Sequence, residues 1–395
     1  MKLRLLGLLA APILLLGAGA KSLSMRPASA AVKREESTFQ KIVLDREFRS
    51  EGCAVADVNH DGKPDILVGE IWYEAPNWKA HHIAEPGKYE PAHGYSNSFF
   101  VFTADVNHDG WMDELVIGFP GAKTVWRENP KNKEGFWKEH LISDNSCNES
   151  AAFIDLIGRK NPVFVMGDDK TLGWIEPKKG TNGEEWERHV VSAPNQPGSQ
   201  RFSHGLGVGD VNGDGRKDIL CNGGYWLAPK DPRTSPWQFV PANFSAACAQ
   251  MYVADVNGDG LPDVICSSAH NKGVWWFEQK RTATGTEFIQ HTIDDSFSQS
   301  HGMAMADMNG DGQMDFVTGK RFWAHGPDGD VDANLPAFLY WYEYKRVSGK
   351  VEWVRHLIDT DSGVGTQVTT ADVNKDGKMD VVVSNKKGVF VFLQE

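Results

Sequence analysis

The chain has 395 residues, a formal net charge of −12, and 41% hydrophobic and 24% charged residues. This hydrophobic fraction is typical of a globular protein with an apolar core, and the negative charge argues against a nucleic acid as partner. The 40 Gly, 14 Trp and 20 Phe favour short aromatic strands joined by glycine turns, as in an all-β repeat protein.

Residues 1–20 have the pattern of a signal peptide. Lys2 and Arg4 precede an apolar run from Leu5 to Leu16, and small residues follow at 18–20. The apolar run is short for a membrane span, and a membrane anchor is the alternative. We expect a secreted or periplasmic protein with a signal peptide over 1–20, a linker over 21–38, and no stable membrane insertion after signal removal.

One nine-residue motif, Asp-Val-Asn-x-Asp-Gly-x-x-Asp, organises the rest of the chain. A degenerate copy without the acidic loop lies at 152–156, which brings the number of repeats to seven. The copies recur roughly every 50 residues, close to the length of a four-stranded propeller blade. The intact copies, including one with Met at the second position, begin at Asp57, Asp105, Asp210, Asp255, Asp307 and Asp372.

The repeats share a pattern of four short stretches that read as strands, the last of the form Trp-x-x-His-x-aliphatic at 137–142, 186–191 and 353–358. The seventh repeat stops after its third strand, and residues 39–44 resemble the missing fourth strand. We therefore predict a seven-bladed β-propeller of four-stranded blades over residues 39–395, with the N-terminal strand closing the last blade. Such closure removes open sheet edges, and an open solenoid is the alternative.

The aspartate loops have the residue pattern of a calcium-binding loop. Positions one, three, five, six and nine match an EF-hand-type loop, although the glutamate at position twelve is missing and strands replace the flanking helices. We predict structural calcium in these loops; hairpin turns held only by carboxylate–backbone hydrogen bonds are the alternative. The predicted ligands are Asp57, Asn59, Asp61, Asp65, Asp105, Asn107, Asp109, Asp113, Asp210, Asn212, Asp214, Asp218, Asp255, Asn257, Asp259, Asp263, Asp307, Asn309, Asp311, Asp315, Asp372, Asn374, Asp376 and Asp380.

These loops and strands resemble the FG-GAP/VCBS repeats of integrin-like and secreted bacterial propellers. Two stretches, 203–215 with 224–226 and 300–303 with 319–325, resemble the propeller domain of the aldos-2-ulose dehydratase family. The narrower resemblance implies a zinc ion at the bottom of a propeller cleft. It also implies dehydration of a keto-sugar such as anhydrofructose.

Eight of the thirteen histidines are explained by the repeat itself. Five occupy the same position of the fourth strand: His81, His140, His189, His291 and His356. His82 is adjacent to the first of these, and His60 and His108 lie in aspartate loops. The other five either precede first strands or follow second strands, and both connections emerge at the propeller face opposite the aspartate loops. These five are His93, His204, His270, His301 and His325.

We predict that His204, His270 and His301 hold zinc, because catalytic zinc is commonly bound by three imidazoles with one position left open. Polar residues lining a wet channel are the alternative. A zinc-dependent carbon–oxygen lyase would eliminate water from a keto- or anhydro-sugar, with His325 and His93 transferring protons and Lys320 or Arg321 stabilising the oxyanion. A related enzyme hypothesis is a polysaccharide lyase that carries out elimination on uronates. The competing hypothesis is a non-catalytic, calcium-stabilised propeller that binds a glycan or a protein.

Overall fold

The computed structural model describes residues 38–158, 161–245, 248–283 and 285–395. The predicted signal peptide, and the predicted linker apart from Thr38, lie outside these residues. Within these ranges the chain forms 28 β-strands. No helix among the described residues has the length and apolar character needed to span a bilayer.

The first half of the chain supplies one closing strand and three antiparallel four-stranded sheets. The closing strand is β1 (Phe39–Asp45). The first sheet contains β2 (Ala54–Ala56), β3 (Asp65–Leu67), β4 (Ile71–Glu74) and β5 (Lys79–His82). The second contains β6 (Phe100–Ala104), β7 (Asp113–Ile117), β8 (Ala122–Glu128) and β9 (Lys138–Ser146). The third contains β10 (Ala152–Ile154), β11 (Val163–Gly167), β12 (Leu172–Pro177) and β13 (Trp186–Val190).

The second half begins with a single eight-stranded sheet and ends with two four-stranded ones. The long sheet contains β14 (Gly207–Gly209), β15 (Asp218–Cys221), β16 (Gly224–Leu227), β17 (Gln238–Pro241), β18 (Cys248–Ala254), β19 (Asp263–Ser268), β20 (Lys272–Thr282) and β21 (Gly285–Ser298). The next contains β22 (Met303–Ala306), β23 (Asp315–Gly319), β24 (Leu339–Val347) and β25 (Lys350–Asp359). The last contains β26 (Thr369–Ala371), β27 (Asp380–Asn385) and β28 (Gly388–Gln394) together with β1.

The prediction that the N-terminal strand completes the last sheet is confirmed. Strand β1 pairs antiparallel with β28, with Phe39 opposite Gln394 and Ile42 opposite Val391. The backbone N–H of Glu395 also donates to the carbonyl of Thr38 at 2.9 Å. The edge of β28 is therefore covered by the chain's own N-terminal segment.

The all-β propeller is observed, but the prediction of seven separate four-stranded blades is wrong. The structure contains five four-stranded sheets and one curled eight-stranded sheet. The long sheet arises because β14 and β18 pair in parallel at Gly207 and Met251, and the Met251 N–H donates to the carbonyl of Leu206 at 3.1 Å. A Cβ atom at residue 207 would collide with the carbonyl of Met251, so this approach requires glycine.

Apolar side chains pack between neighbouring sheets all the way around. Val101 of the second sheet packs against Leu67 of the first, and Phe164 of the third packs with Phe100 of the second. The circle closes where Val391 of the last sheet joins the cluster around Ile66 of the first. The inter-sheet cores hold the strands in place, so that their connecting segments meet at the two ends.

Candidate functional site

Six side chains with metal-ligating atoms meet at the end of the sheets opposite the aspartate loops. Three precede first strands, one lies in the β19–β20 turn, and two lie in the long β23–β24 connection. We call these residues the histidine cluster: Glu149, His204, His301, His270, His325 and Asp330.

Backbone hydrogen bonds between the connecting segments hold the cluster together. The N–H of Glu149 donates to the carbonyl of Ser203 at 3.0 Å, which places this glutamate beside His204. The N–H groups of Arg321 and His301 donate to the carbonyl of Gln299 at 2.8 and 2.9 Å. The scattered sequence positions are thus fixed by main-chain contacts at one point.

Glu149, His204 and His301 form the first of two groups in the cluster. Their ligand atoms all lie within 4.8 Å of one another. The Oε2 atom of Glu149 lies 3.4 Å from Nε2 of His204 and 3.5 Å from Nε2 of His301. Burial alone would raise the pKa of the Glu149 carboxyl, but its contacts with the two histidines lower it well below its usual range.

His301 is the most deeply buried member of this group. Its side chain is 0% exposed; Nδ1 has no hydrogen-bond partner within the described part of the chain, and Nε2 makes only the long 3.5 Å contact with Glu149. Burial lowers the pKa of His301 to about 3, so the ring is neutral at physiological pH. An imidazole without protein hydrogen bonds is costly to bury, whereas a neutral imidazole is the form that binds metals.

His270 stands between the first group and the second. Its Nε2 atom lies 2.8 Å from Nε2 of His204, and its Nδ1 atom lies 3.3 Å from Oδ1 of Asp330. The same Asp330 oxygen lies 3.0 Å from Nδ1 of His325, and His325 and His270 stack with ring centroids 4.5 Å apart. His270, His325 and Asp330 form the second group of ligand atoms within 4.8 Å.

The first group fits the donor set of a zinc site. Two imidazoles and one carboxylate with an open position are a familiar catalytic zinc combination, and the neutral, buried His301 ring, which makes no hydrogen bond of normal geometry, is suited to a cation. The three histidines predicted from the sequence do come together, with ring centroids 4.7 to 6.0 Å apart. Glu149, and not His270, completes the tighter group with His204 and His301.

The four residues predicted for proton transfer and oxyanion binding occupy different surroundings. His325 lies in the cluster and is 44% exposed. His93 is an exposed residue whose N–H donates to the carbonyl of Glu90, and it belongs to neither ligand group among the described residues. Arg321 forms a buried ion pair with Glu51 at 3.0 Å.

Two buried lysines also face this end of the propeller. The Nζ atom of Lys320 donates to the carbonyl of Ala333 at 3.2 Å, and that of Lys386 donates to the carbonyl of Trp323 at 2.8 Å. Burial lowers the pKa of each lysine to about 8. Their ammonium groups therefore hold protons less firmly than ordinary lysines.

The five histidines of the fourth strands pack within their own sheets and contribute to the repeat structure, as the sequence indicates. His81, for example, stacks on Trp72 with ring centroids 4.3 Å apart and contacts Glu74 at 2.7 Å. The other four make the same stacked or tilted contact with a third-strand tryptophan and approach a glutamate at 3.0 to 3.1 Å: His140, His189, His291 and His356.

The six aspartate loops turn at the opposite end and share one hydrogen-bond scheme. In the loop beginning at Asp372, the Gly377 N–H donates to Asp372 at 2.9 Å. The ninth residue, Asp380, accepts from the N–H groups of Val373 and Gln394, each at 2.8 Å. Both oxygens of this buried carboxylate are thus engaged by backbone, which matches the hairpin-turn alternative at the ninth position.

The remaining loop positions retain oxygens that calcium would accept. Asp57 Oδ1 is buried without a hydrogen bond, and Asn59 and Asp61 lie nearby in the same exposed turn. Within the described ranges, no aspartate loop is among the places where three acidic, histidine or cysteine ligands come within 4.8 Å. Calcium binding through the first, third and fifth positions stays a prediction.

Sequence reasoning missed Glu149 and Asp330. Glu149 precedes β10 of the degenerate repeat, which carries no aspartate motif, and Asp330 lies in the long insertion between β23 and β24. For Glu149 the signal was indirect: it lies six positions before Asp155, just as His204 and His301 lie six positions before the first aspartates of their loops.

Comparison with known proteins adds the repeat family. A model described as an FG-GAP-like repeat matches residues 232–318, and a model described as an FG-GAP repeat matches residues 364–389. The chain contains FG-GAP repeats. The narrower resemblance of this FG-GAP propeller to the dehydratase family stays a prediction.

The other two comparisons add little about the function of these FG-GAP repeats. No curated protein matches the chain. One similar solved structure concerns, by its title, recognition of non-reducing terminal N-acetylglucosamine by an Agrocybe aegerita lectin. It is 16% identical, with a TM-score of 0.44, and the match covers 82% of this chain and 81% of that one. A likeness at this level does not indicate a shared ligand.

Proposed function

We propose that this FG-GAP propeller is an exported binding protein that holds zinc at Glu149, His204 and His301 and binds a carbohydrate at that end. The observation that carries the proposal is the fully buried ring of His301, whose Nδ1 atom has no hydrogen-bond partner among the described residues and whose Nε2 atom lies 3.5 Å from the Glu149 carboxylate. Desolvated imidazole without partners is unfavourable unless something binds it. A cation would relieve that cost.

Aromatic side chains next to the cluster support a carbohydrate as the ligand. Phe322 and Trp323 are half-buried and stack on each other with ring centroids 4.5 Å apart. The Trp323 indole N–H donates to Asn334 at 2.9 Å, which holds the ring in the same connection that carries His325 and Asp330. An apolar ring face next to charged groups suits a sugar, whose hydroxyls form hydrogen bonds while its C–H face packs on the ring.

Metal analysis tests the zinc part of the proposal. We expect purified protein to retain zinc, and Glu149→Gln and His204→Ala to lose it while the circular dichroism spectrum stays that of a β-protein. His291→Ala, which removes an imidazole from the outer strand β21, should retain zinc. A folded, zinc-free wild type that also fails to take up added zinc would refute the proposal.

Carbohydrate binding is tested separately on a glycan array. We expect wild-type protein to bind a subset of glycans and Trp323→Ala to lose at least tenfold in affinity. Trp111→Ala, which removes a partly buried tryptophan from an aspartate loop, is the matched control. Equal binding by the two variants would exclude the Phe322–Trp323 surface as the sugar site.

A lyase is the second candidate, favoured by the exposed His325 beside Asp330. The hydrogen bond to Asp330 raises the pKa of His325, so this ring can hold a proton at the solvent side. Zinc, when bound, would polarise a substrate carbonyl. In an elimination, a base takes the α-proton, the C–O bond at the β-carbon breaks, a C=C bond forms, and His325 protonates the departing hydroxyl to give water.

Absorbance distinguishes the lyase from the binding protein. Incubation with anhydrofructose should produce an ultraviolet-absorbing enone if the lyase hypothesis is right, and His325→Ala should slow that reaction. Zinc-loaded protein that binds glycans but forms no enone supports the non-catalytic function.

A further inference from the structure

The second group of the histidine cluster contains a nearly complete set of ligands of its own. Asp330 is only 4% exposed and faces two imidazoles, with its Oδ1 atom 3.0 Å from His325 and 3.3 Å from His270. The Nδ1 atom of His270 is buried, and the 3.3 Å contact with Asp330 does not meet the geometry of a hydrogen bond. His325 and Asp330 lie in the same β23–β24 connection, whereas His270 reaches them from the β19–β20 turn, so the group is not formed by one local turn alone.

We infer that His270, His325 and Asp330 hold a second cation next to the first, and that His270 connects the two sites. The inference rests on the proposed zinc site at Glu149, His204 and His301. Imidazole has one nitrogen on each side of the ring. In His270, Nε2 faces His204 at 2.8 Å, while Nδ1 faces Asp330.

The donors indicate which cations the second site would take. Imidazole suits zinc, copper, nickel and iron, and a set of two imidazoles and one carboxylate is less suited to calcium or magnesium, which prefer oxygen. His325 is 44% exposed, so the outer side of this site is open to water or to a ligand. The first group, by contrast, is closed on one side by the fully buried His301.

A pair of cations at this end would change how a ligand is held. Two adjacent cations can bind two oxygens of one molecule at the same time. Neighbouring hydroxyl groups of a sugar offer such a pair of oxygens. The two-cation centre would therefore select ligands with vicinal oxygens over those with isolated ones.

The competing explanation is that Asp330 only orients His270. Ligating histidines commonly donate their second nitrogen to a carboxylate, which fixes the ring without a second metal. Both explanations predict weaker zinc binding at the first site when Asp330 is changed. They differ in the number of cations bound.

Titration of metal-free protein with Co²⁺, in excess Ca²⁺ to occupy the aspartate loops, counts the cations. We expect two equivalents for wild type and for the His291→Ala control, and one for Asp330→Asn and for His325→Ala. Glu149→Gln should bind one equivalent with an altered visible spectrum. With Cu²⁺, wild type should show magnetic coupling between the two ions by electron paramagnetic resonance, and Asp330→Asn should show an uncoupled signal.

The possible counts separate the inference from the proposed function. One equivalent in wild type and also in Asp330→Asn, lost in Glu149→Gln, would overturn the second site and leave the first intact. One equivalent lost in Asp330→Asn but kept in Glu149→Gln would overturn the proposed zinc site. No bound Co²⁺ in folded wild type would overturn both.

Discussion

Gly207 of β14 and Met251 of β18 are directly paired partners in a parallel arrangement, and this single pair joins eight strands into one sheet. The first strands of the other sheets contain alanine, phenylalanine, methionine or threonine, whereas β14 is Gly-Val-Gly. The missing side chain lets the two innermost strands approach within hydrogen-bond distance.

We expect Gly207→Ala to separate these strands and to lower the free energy of unfolding by about 2–3 kcal/mol, the cost of overpacking a tight contact. Gly223→Ala is the control, because a Cβ there would lie 3.8 Å from its nearest neighbour. Urea denaturation measures both. Equal stability of the two variants would contradict the role given to Gly207.

The pairing of β1 with β28 predicts an alternating response to proline. Thr38 and Glu395 form a hydrogen-bonded pair, so alternation along the antiparallel ladder places Ile42 in another such pair with Val391. Ile42→Pro should remove that bond, leave its acceptor unpaired and destabilise by about 1–3 kcal/mol. Val43→Pro, one residue on, should cost clearly less, as measured by thermal unfolding.

The ninth aspartate of each loop should be structural with or without calcium. Asp380→Ala leaves two buried N–H groups unpaired, and we expect a loss of about 2–4 kcal/mol in chelator-treated protein. Asp376→Ala, at the exposed fifth position of the same loop, should cost less than about 1 kcal/mol under those conditions. A similar loss in both variants would contradict this division of roles.

Calcium itself should raise the melting temperature if the loops bind it. Binding to the native state alone stabilises by mass action, so wild type should melt higher in calcium than in chelator. The increment should shrink in Asp372→Asn, which weakens one loop, and persist in Glu149→Gln, which leaves all loops intact. An unchanged melting temperature for wild type would favour hairpin turns without calcium.

Lys320 gives the stability a defined pH dependence. Its pKa is lowered by burial from 10.5 to about 8, so between these values the unfolded chain binds a proton that the native chain has released. The free energy of unfolding should therefore rise with pH from about 8 to 10, by up to about 1.4 kcal/mol per pH unit from this group. In Lys320→Met the free energy of unfolding, measured by denaturant titration at each pH, should rise less between about pH 8 and 10. Lys350→Met, which changes an exposed lysine, should show the same pH dependence as wild type.

Local patterns in the sequence were sufficient to predict the strands and the closure. The repeated aspartate motif marks six first hairpins, and Trp-x-x-His marks the fourth strands β5, β9, β13 and β25, because both depend on residues close together in the chain. The likeness of residues 39–44 to that fourth strand correctly indicated the partner of β28. Subtraction of the blade histidines also left His204, His270, His301 and His325, which the structure gathers in one cluster.

The contacts that were missed depend on distances between segments. The approach of β14 to β18 depends on the one Cβ that Gly207 lacks, and nothing in the repeat count reveals it. Glu149 reaches the cluster from a repeat without a motif, and Asp330 reaches it from an insertion with no equivalent elsewhere in the chain. His93 is the opposite case: it precedes a first strand, as His204 and His301 do, yet it belongs to neither ligand group among the described residues.

The pairing of Thr38 with Glu395 has a consequence for synthesis in the cell, since the two residues are 357 positions apart. At about 5–20 residues per second, a ribosome would need roughly 20–70 s to make the partner of the first strand. During that time β1 lacks its partner strand, although Ile42 and Leu44 can already pack against the first sheet, and the unpaired backbone edge is available to chaperones. The signal peptide predicted over residues 1–20 would make such a delay useful, because translocation requires that the chain not close its circle early.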